Sequence, residues 1–103
     1  MIVDCISDTH GHYPKLEGGD LLIVAGDWTA TDSEENLRCF EGWLLSEGCS
    51  KYKEIIVIAG NRDTTAYEFK RLGLTPYLQT LPTVKYLCDS GTEFEGIKIW
   101  GSP

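Results

Sequence analysis

Three short apolar runs punctuate the chain: Ile2-Val3-Asp4-Cys5-Ile6, Leu21-Leu22-Ile23-Val24-Ala25 and Ile55-Ile56-Val57-Ile58-Ala59. Each is bounded by polar or glycine-containing turns, and the first and third are rich in β-branched residues. This is the pattern of strands buried on both faces. Between the second and third runs the period changes. Leu37, Phe40, Trp43 and Leu44 recur at helical spacing. Ser33 is placed to cap that helix, Glu34 and Glu35 put negative charge in its first turn, and Gly48 is placed to end it.

A second helix is expected from Thr65 to Leu72, closed by Gly73. Thr75 to Pro82 reads as loop, because Pro76 and Pro82 interrupt any regular ladder. The tail reads as a hairpin: Val84-Lys85-Tyr86-Leu87-Cys88 and Glu93-Phe94 flank Asp89-Ser90-Gly91, and Glu95-Gly96 leads into Ile97-Lys98-Ile99-Trp100. Strands alternating with helices predict an α/β fold, with a mostly parallel sheet ending in a β-hairpin. At 103 residues the chain is one domain at most, spanning residues 1–103. The connection from Asp8 to Asp20 is too short for a long helix.

Each apolar run leads into a polar cluster. The first opens onto Ser7-Asp8-Thr9-His10-Gly11-His12, the second onto Gly26-Asp27-Trp28-Thr29, the third onto Gly60-Asn61-Arg62-Asp63. In open α/β sheets ligands bind beyond the carboxyl ends of the strands. If the three strands are parallel neighbours, Asp8, His10, Asp27 and Asn61 converge, with His12 and Asp63 nearby. Carboxylate, imidazole and amide oxygen suit a divalent ion such as Mn, Fe or Zn. The i, i+2 spacing of Asp8 and His10 lets both reach one ion from an extended turn. Glycine before Asp27 and before Asn61 lets the backbones approach closely. Taken singly, these residues have ordinary explanations: Asp8 a turn or cap residue, the Gly-Asp and Gly-Asn pairs turn dipeptides, His10 a surface histidine. Taken in order, each at a strand end, they point to a metal centre.

Composition narrows the partners. The net charge is −7 and the sequence pI about 4.6. No basic stripe offers a non-specific grip on nucleic acid, and the acidity disfavours anionic membrane surfaces. A phosphate ester would need positive charge from elsewhere, which bound metal ions supply. No transmembrane stretch and no secretory leader are recognisable, so a cytoplasmic protein is expected. The cysteines Cys5, Cys39, Cys49 and Cys88 form no Cys-x-x-Cys pair and read as reduced thiols, mostly in the core. Neither Gly-x-Gly-x-x-Gly nor Gly-x-x-x-x-Gly-Lys is present, so the usual nucleotide-cradling loops are absent from the sequence.

The ordered blocks Asp8-Thr9-His10, Gly26-Asp27 and Gly60-Asn61-Arg62-Asp63 resemble the Asp-x-His, Gly-Asp and Gly-Asn-His-Asp/Glu blocks of calcineurin-like metallophosphoesterases. Gly26-Asp27-Trp28-Thr29 and Ile99-Trp100-Gly101-Ser102-Pro103 resemble the metallophosphoesterase-domain-containing branch, which acts on phosphodiesters including cyclic nucleotides. The resemblance implies the N-terminal part of a four-layer α/β/β/α sandwich and a metal-dependent hydrolase of small phosphodiesters or phosphomonoesters. It implies two divalent ions, with Asp8 and His10 on the first, Asp27 bridging both and Asn61 on the second. Asn61 and Arg62 would also bind substrate, and Arg62 and Asp63 stand at positions the resemblance makes catalytic.

Two departures set further expectations. Arg62 replaces the histidine of the family's block. Arginine does not release a proton at working pH, although its planar fork stabilises phosphate charge, so a weakened enzyme is expected. The alternative for Arg62 is a surface salt bridge, for instance to Asp63. The family also carries a later Gly-His-x-His block, whereas these residues include only His10 and His12. The second site is therefore expected to be incomplete in this chain, with His12 facing solvent, standing behind the ligands or touching substrate rather than serving as a ligand. An exposed apolar core face is expected too, with self-association or complementation through it. A non-catalytic remnant that binds metal or a partner protein is the alternative to an enzyme.

Overall fold

A computed structural model describes residues 1–28, 34–60 and 83–102. Strands β1 (Val3–Ile6), β2 (Leu21–Ala25), β3 (Glu54–Ile58) and β4 (Val84–Tyr86) form one sheet in the order β1-β2-β3-β4. Every neighbouring pair in it is parallel. Strands β5 (Ser90–Phe94) and β6 (Ile97–Gly101) pair antiparallel as a separate ribbon. Helix α1 (Glu34–Trp43) continues into a π-helical turn (Leu44–Gly48) between β2 and β3. The expected α/β class, with a parallel sheet and a hairpin, is what the chain adopts.

Strand alternation sends side chains to two faces, and each face is covered by a different element. The register aligns Leu22 with Ile55 and Val24 with Val57, then Ile55 with Val84 and Val57 with Tyr86. These six bury with Leu37, Phe40, Trp43 and Leu44 in one cluster, so the helical stripe read from the sequence closes this face. On the other face Leu21 and Ile56 bury with Leu87 and the hairpin's Phe94, joined at the edges by Ile23, Ile58 and Ile99. The result is helix, sheet and hairpin in three layers.

Three expectations are corrected. First, β1 is not buried on both faces. It pairs only with β2 among the described residues, and Val3 and Cys5 are exposed while Asp4 and Ile6 are half-buried. Second, Val84–Tyr86 does not join the hairpin. It extends the parallel sheet beside β3, and the hairpin turns at Glu95-Gly96, where both residues have positive φ (48° and 83°). Ser90-Gly91, expected in a turn, lies inside β5. Third, the cysteines are not mostly core. Cys5 and Cys39 are exposed, on the outward alternation of β1 and the outer side of α1. Cys49 and Cys88 are half-buried, and burial pushes the Cys49 thiol up. Gly48 ends the helix as expected, and packing requires glycine there. A Cβ there would come within 2.6 Å of the Ile55 side chain, so glycine lets the last turn lie against β3.

Exposed apolar side chains are Met1, Ile2 and Val3 at the β1 edge, Leu45 after α1, and Ile97 and Trp100 on the hairpin. Among the described residues no helix is long and apolar enough to cross a membrane. Ser33, the helix expected from Thr65 to Leu72, the loop from Thr75 to Pro82, and Asn61, Arg62 and Asp63 lie outside the described residues.

Candidate metal centre

Beyond the last residues of β1 and β2 the two backbones stay together. The Asp8 amide donates to the Gly26 carbonyl (3.0 Å), the His10 amide to the Asp27 carbonyl (3.0 Å) and the Gly11 amide to the Trp28 carbonyl (3.1 Å). The parallel pairing is thus carried into the loops, and it brings Asp8, His10 and Asp27 to one place. A carboxylate oxygen of each aspartate and an imidazole nitrogen of His10 all lie within 4.8 Å of one another. The closest approach of Asp8 and His10 is 3.9 Å, between Oδ1 and Nε2.

The backbone at these positions is costly. Asp8 (φ 55°), His10 (φ 49°) and Asp27 (φ 54°) all sit in the left-handed region. For non-glycine residues that conformation costs on the order of 1–2 kcal/mol each, and such outliers cluster at functional sites. Aspartate and histidine are among the residues that tolerate it best. His10 and Gly11 are both at positive φ, and the His12 amide donates to the Thr9 carbonyl (2.9 Å), which closes a tight turn of the I′ kind.

Two glycines let β2 and β3 converge. A Cβ on Gly60 would overlap the Asp27 carboxylate and amide, and one on Gly26 would come within 2.9 Å of Gly60 Cα. The Asp27 carboxylate therefore lies directly over Gly60, as the Gly-Asp and Gly-Asn pairs lead one to expect. Trp28 then anchors the loop. It is 1% exposed, stacks on Phe40 with ring centroids 3.9 Å apart, and donates from Nε1 to the Ile58 carbonyl (3.0 Å). Trp28 thereby ties the exits of all three strands: its carbonyl receives Gly11, its indole reaches the end of β3, and Asp27 precedes it. The sequence pattern alone assigns Trp28 no role; the available signal is a large aromatic directly after a candidate ligand.

The structure brings together Asp8, His10 and Asp27. His12 is exposed and outside the cluster. The positions of Asn61, Arg62 and Asp63 fall outside the described residues.

No protein-family model matches the chain. Over 96% of its length it is 32% identical to human Metallophosphoesterase domain-containing protein 1, of which it spans 36%. It is also 32% identical over 96% of its length to a UPF0046 protein of Caenorhabditis elegans, of which it spans 40%. A 62-residue segment is 48% identical to Probable rhamnogalacturonate lyase C of Emericella nidulans and amounts to 6% of that protein. The metallophosphoesterase-domain and UPF0046 relatives support a metallophosphoesterase-like family. The chain spans two fifths or less of each of them.

A metallophosphoesterase-like family implies divalent metals, and the donor set fits. Ligand oxygens and nitrogens sit roughly 2.0–2.2 Å from an ion such as zinc, so ligand atoms on one ion lie at most about 4.4 Å apart. The three donors are close to that spacing already. Two carboxylates and an imidazole are also the hard and borderline ligands that Mn, Fe and Zn accept.

Proposed function

We propose that this chain contributes to the catalytic centre of a metal-dependent phosphoesterase, and that its ester is a phosphodiester. The observation that carries the reading is the convergence of Asp8, His10 and Asp27 at the carboxyl end of a parallel sheet, on backbone that is strained at all three positions. Strain of that kind needs a compensating interaction, and ligation of a cation is one that these side chains can make. The similarity to metallophosphoesterase-domain proteins supports the same chemistry.

In this reading Asp8, His10 and Asp27 would hold divalent metal, and Asn61 would contribute to a second ion as the resemblance implies. When bound, such ions supply positive charge against the phosphate oxygens and lower the pKa of the attacking water. The chain's own residues position the reaction. Gly60 leaves room for the Asp27 carboxylate, Trp28 holds the loop that carries it, and the turn at His10-Gly11 presents the imidazole. Arg62, at the position of the family's histidine, would stabilise phosphate charge without giving up a proton, so a weakened enzyme is expected.

The test is hydrolysis of bis(4-nitrophenyl) phosphate with added manganese, beside equilibrium dialysis of manganese, for the chain and for Asp27→Ala. Manganese-dependent hydrolysis that Asp27→Ala abolishes, with metal affinity reduced more than about 100-fold, is the expected result. Metal binding without hydrolysis of this diester or of 4-nitrophenyl phosphate would leave a metal-binding module in place of an enzyme.

A further inference from the structure

The hairpin turns one face to the parallel sheet and the other to solvent. Alternation along β5 and β6 sends Phe94, Ile99 and Gly101 toward the core and leaves Gly91, Glu93, Lys98 and Trp100 exposed. The register sets these four out as two rungs, with Gly91 opposite Trp100 and Glu93 opposite Lys98. A Cβ on Gly91 would lie 3.4 Å from the Trp100 ring, so the indole lies across the glycine of the opposite strand. Its other side is open, and Trp100 is 70% exposed. A depression of about 470 Å³ lies on this face, lined by the four exposed residues with Thr92 and Ile99.

Two features of this face are left over within a single chain. One is the indole, a large apolar surface that folding has not buried. The other is the charged rung: Glu93 and Lys98 stand directly opposite each other, yet neither makes an ion pair among the described residues. Lys51 and Lys53, by contrast, both pair within the chain.

The leftover groups are complementary to themselves. A second copy, turned by 180° about an axis parallel to the strands, can be laid face to face on the first. Its β5 then covers β6, and its β6 covers β5. Lys98 meets the partner's Glu93, Glu93 meets the partner's Lys98, and the two indoles come together above the glycines. Every contact occurs twice, as a twofold interface requires. The glycines leave room for the rings, which is the large-against-small fit that lets two sheets pack. A partner surface of a single charge sign would instead meet a like charge here.

We propose that the outer face of β5 and β6 is the interface of a twofold homodimer, with the Trp100 rings in contact and reciprocal Glu93–Lys98 pairs beside them. None of these residues belongs to the Asp8, His10 and Asp27 cluster, so the proposal stands apart from the phosphoesterase reading. A two-stranded face is smaller than the roughly 800 Å² per partner of a standard interface, so the dimer is weak, with Kd on the order of 0.1 mM.

Sedimentation equilibrium from about 10 µM to about 1 mM brackets that constant. Reductant and EDTA are present, so that neither the exposed thiols nor a metal joins copies. The unaltered chain is expected to rise from monomer mass toward dimer mass. Glu93→Lys and Lys98→Glu each set like charges against each other, and each should weaken association at least about tenfold, as should Trp100→Ala. The substituted side chains are exposed, so the core is left intact. Mixing the two charge variants in equal amounts should restore association, because one then offers two bases on this face and the other two acids. An unaltered chain that stays monomeric throughout, association that survives both charge reversals, or a mixture that stays monomeric overturns the proposal.

Discussion

The two ends of the parallel sheet use the same residue types to opposite ends. At the amino end Asp20, Asp4 and Glu47 each meet a donor. Asp20 accepts from the Ile2 amide (2.7 Å) and pairs with Lys53 (3.2 Å), which also approaches Glu95 (3.6 Å). Asp4 accepts from the Tyr52 hydroxyl, and the Tyr52 oxygen accepts from the Gly18 amide (3.3 Å). Lys51 bridges the Leu16 carbonyl and Glu47, both at 2.7 Å. At the carboxyl end two carboxylates and an imidazole are brought within 4.8 Å of each other on left-handed backbone. One end is arranged to hold the chain together; the other gathers the donor types that a divalent cation takes. Like charges crowded on strained backbone are retained where a cation repays the cost.

That contrast predicts which substitutions move metal binding and which move only stability. The largest effect is expected at Gly60. In Gly60→Ala the new methyl overlaps the Asp27 carboxylate, so metal affinity should fall more than about 100-fold and the fold should lose about 1–3 kcal/mol. Manganese titration and thermal melting of the same sample read both. Retention of full affinity would break the assignment of Asp27. A smaller effect is expected from Trp28→Phe, which keeps an aromatic ring against Phe40 but removes the donor to Ile58 and leaves a void where the larger indole packed. It should weaken metal binding about tenfold and cost about 1–3 kcal/mol. Loss of stability without loss of affinity would make Trp28 a core residue and nothing more.

The smallest effect belongs to the amino end, and pH reads it. The Asp20 carboxyl is held below the usual range, first by the Ile2 amide and then by Lys53, and Glu47 is lowered by its bond from Lys51. The folded chain thus binds these protons less readily than the unfolded chain. Their contribution is present above the ordinary carboxylate range and lost as pH falls through and below it. Lys53 is raised by Asp20, and Tyr52 is raised by burial and by Asp4. Their contribution is present below their ordinary range and lost as pH rises beyond about 10. Melting temperature should therefore fall on both flanks. Asp20→Asn should flatten the acid flank with manganese affinity unchanged, and a change in that affinity would erase the distinction between the two ends.

Much of this was legible in the sequence. The runs at β2 and β3 and the stripe Leu37, Phe40, Trp43, Leu44 are dense enough that local periodicity reports burial directly. The candidate ligands were legible because each follows an apolar run, and a strand end is where a parallel sheet presents its side chains. The misreadings share a cause. Ile2 to Ile6 looks like an interior strand because β-branched residues mark strands and say nothing about how many neighbours a strand has. Val84–Tyr86 looks like half of a hairpin because Asp89-Ser90-Gly91 is good turn chemistry, yet Ser90 and Gly91 pair with Gly101 and Trp100 instead. The cysteines looked like core because thiols usually are, but Cys5 and Cys39 fall on the outward turns of their elements.

By itself, then, the sequence determined the class of fold, the identity of its two central strands and its helix, and the chemical types available at the strand ends. Those follow from interactions within a few residues: alternation, helical period, glycine and proline. The tertiary structure alone decided that β1 pairs only with β2 among the described residues, that β4 lies parallel beside β3, and that Asp8, His10 and Asp27 meet. It alone decided that Trp28 joins the exits of three strands and that residues from Ser7 to Pro14 wall a cavity. Strand partners, backbone forced into the left-handed region, and the close passage of Gly26 and Gly60 arise from contacts between segments distant in the chain, and no local pattern encodes where those segments will meet.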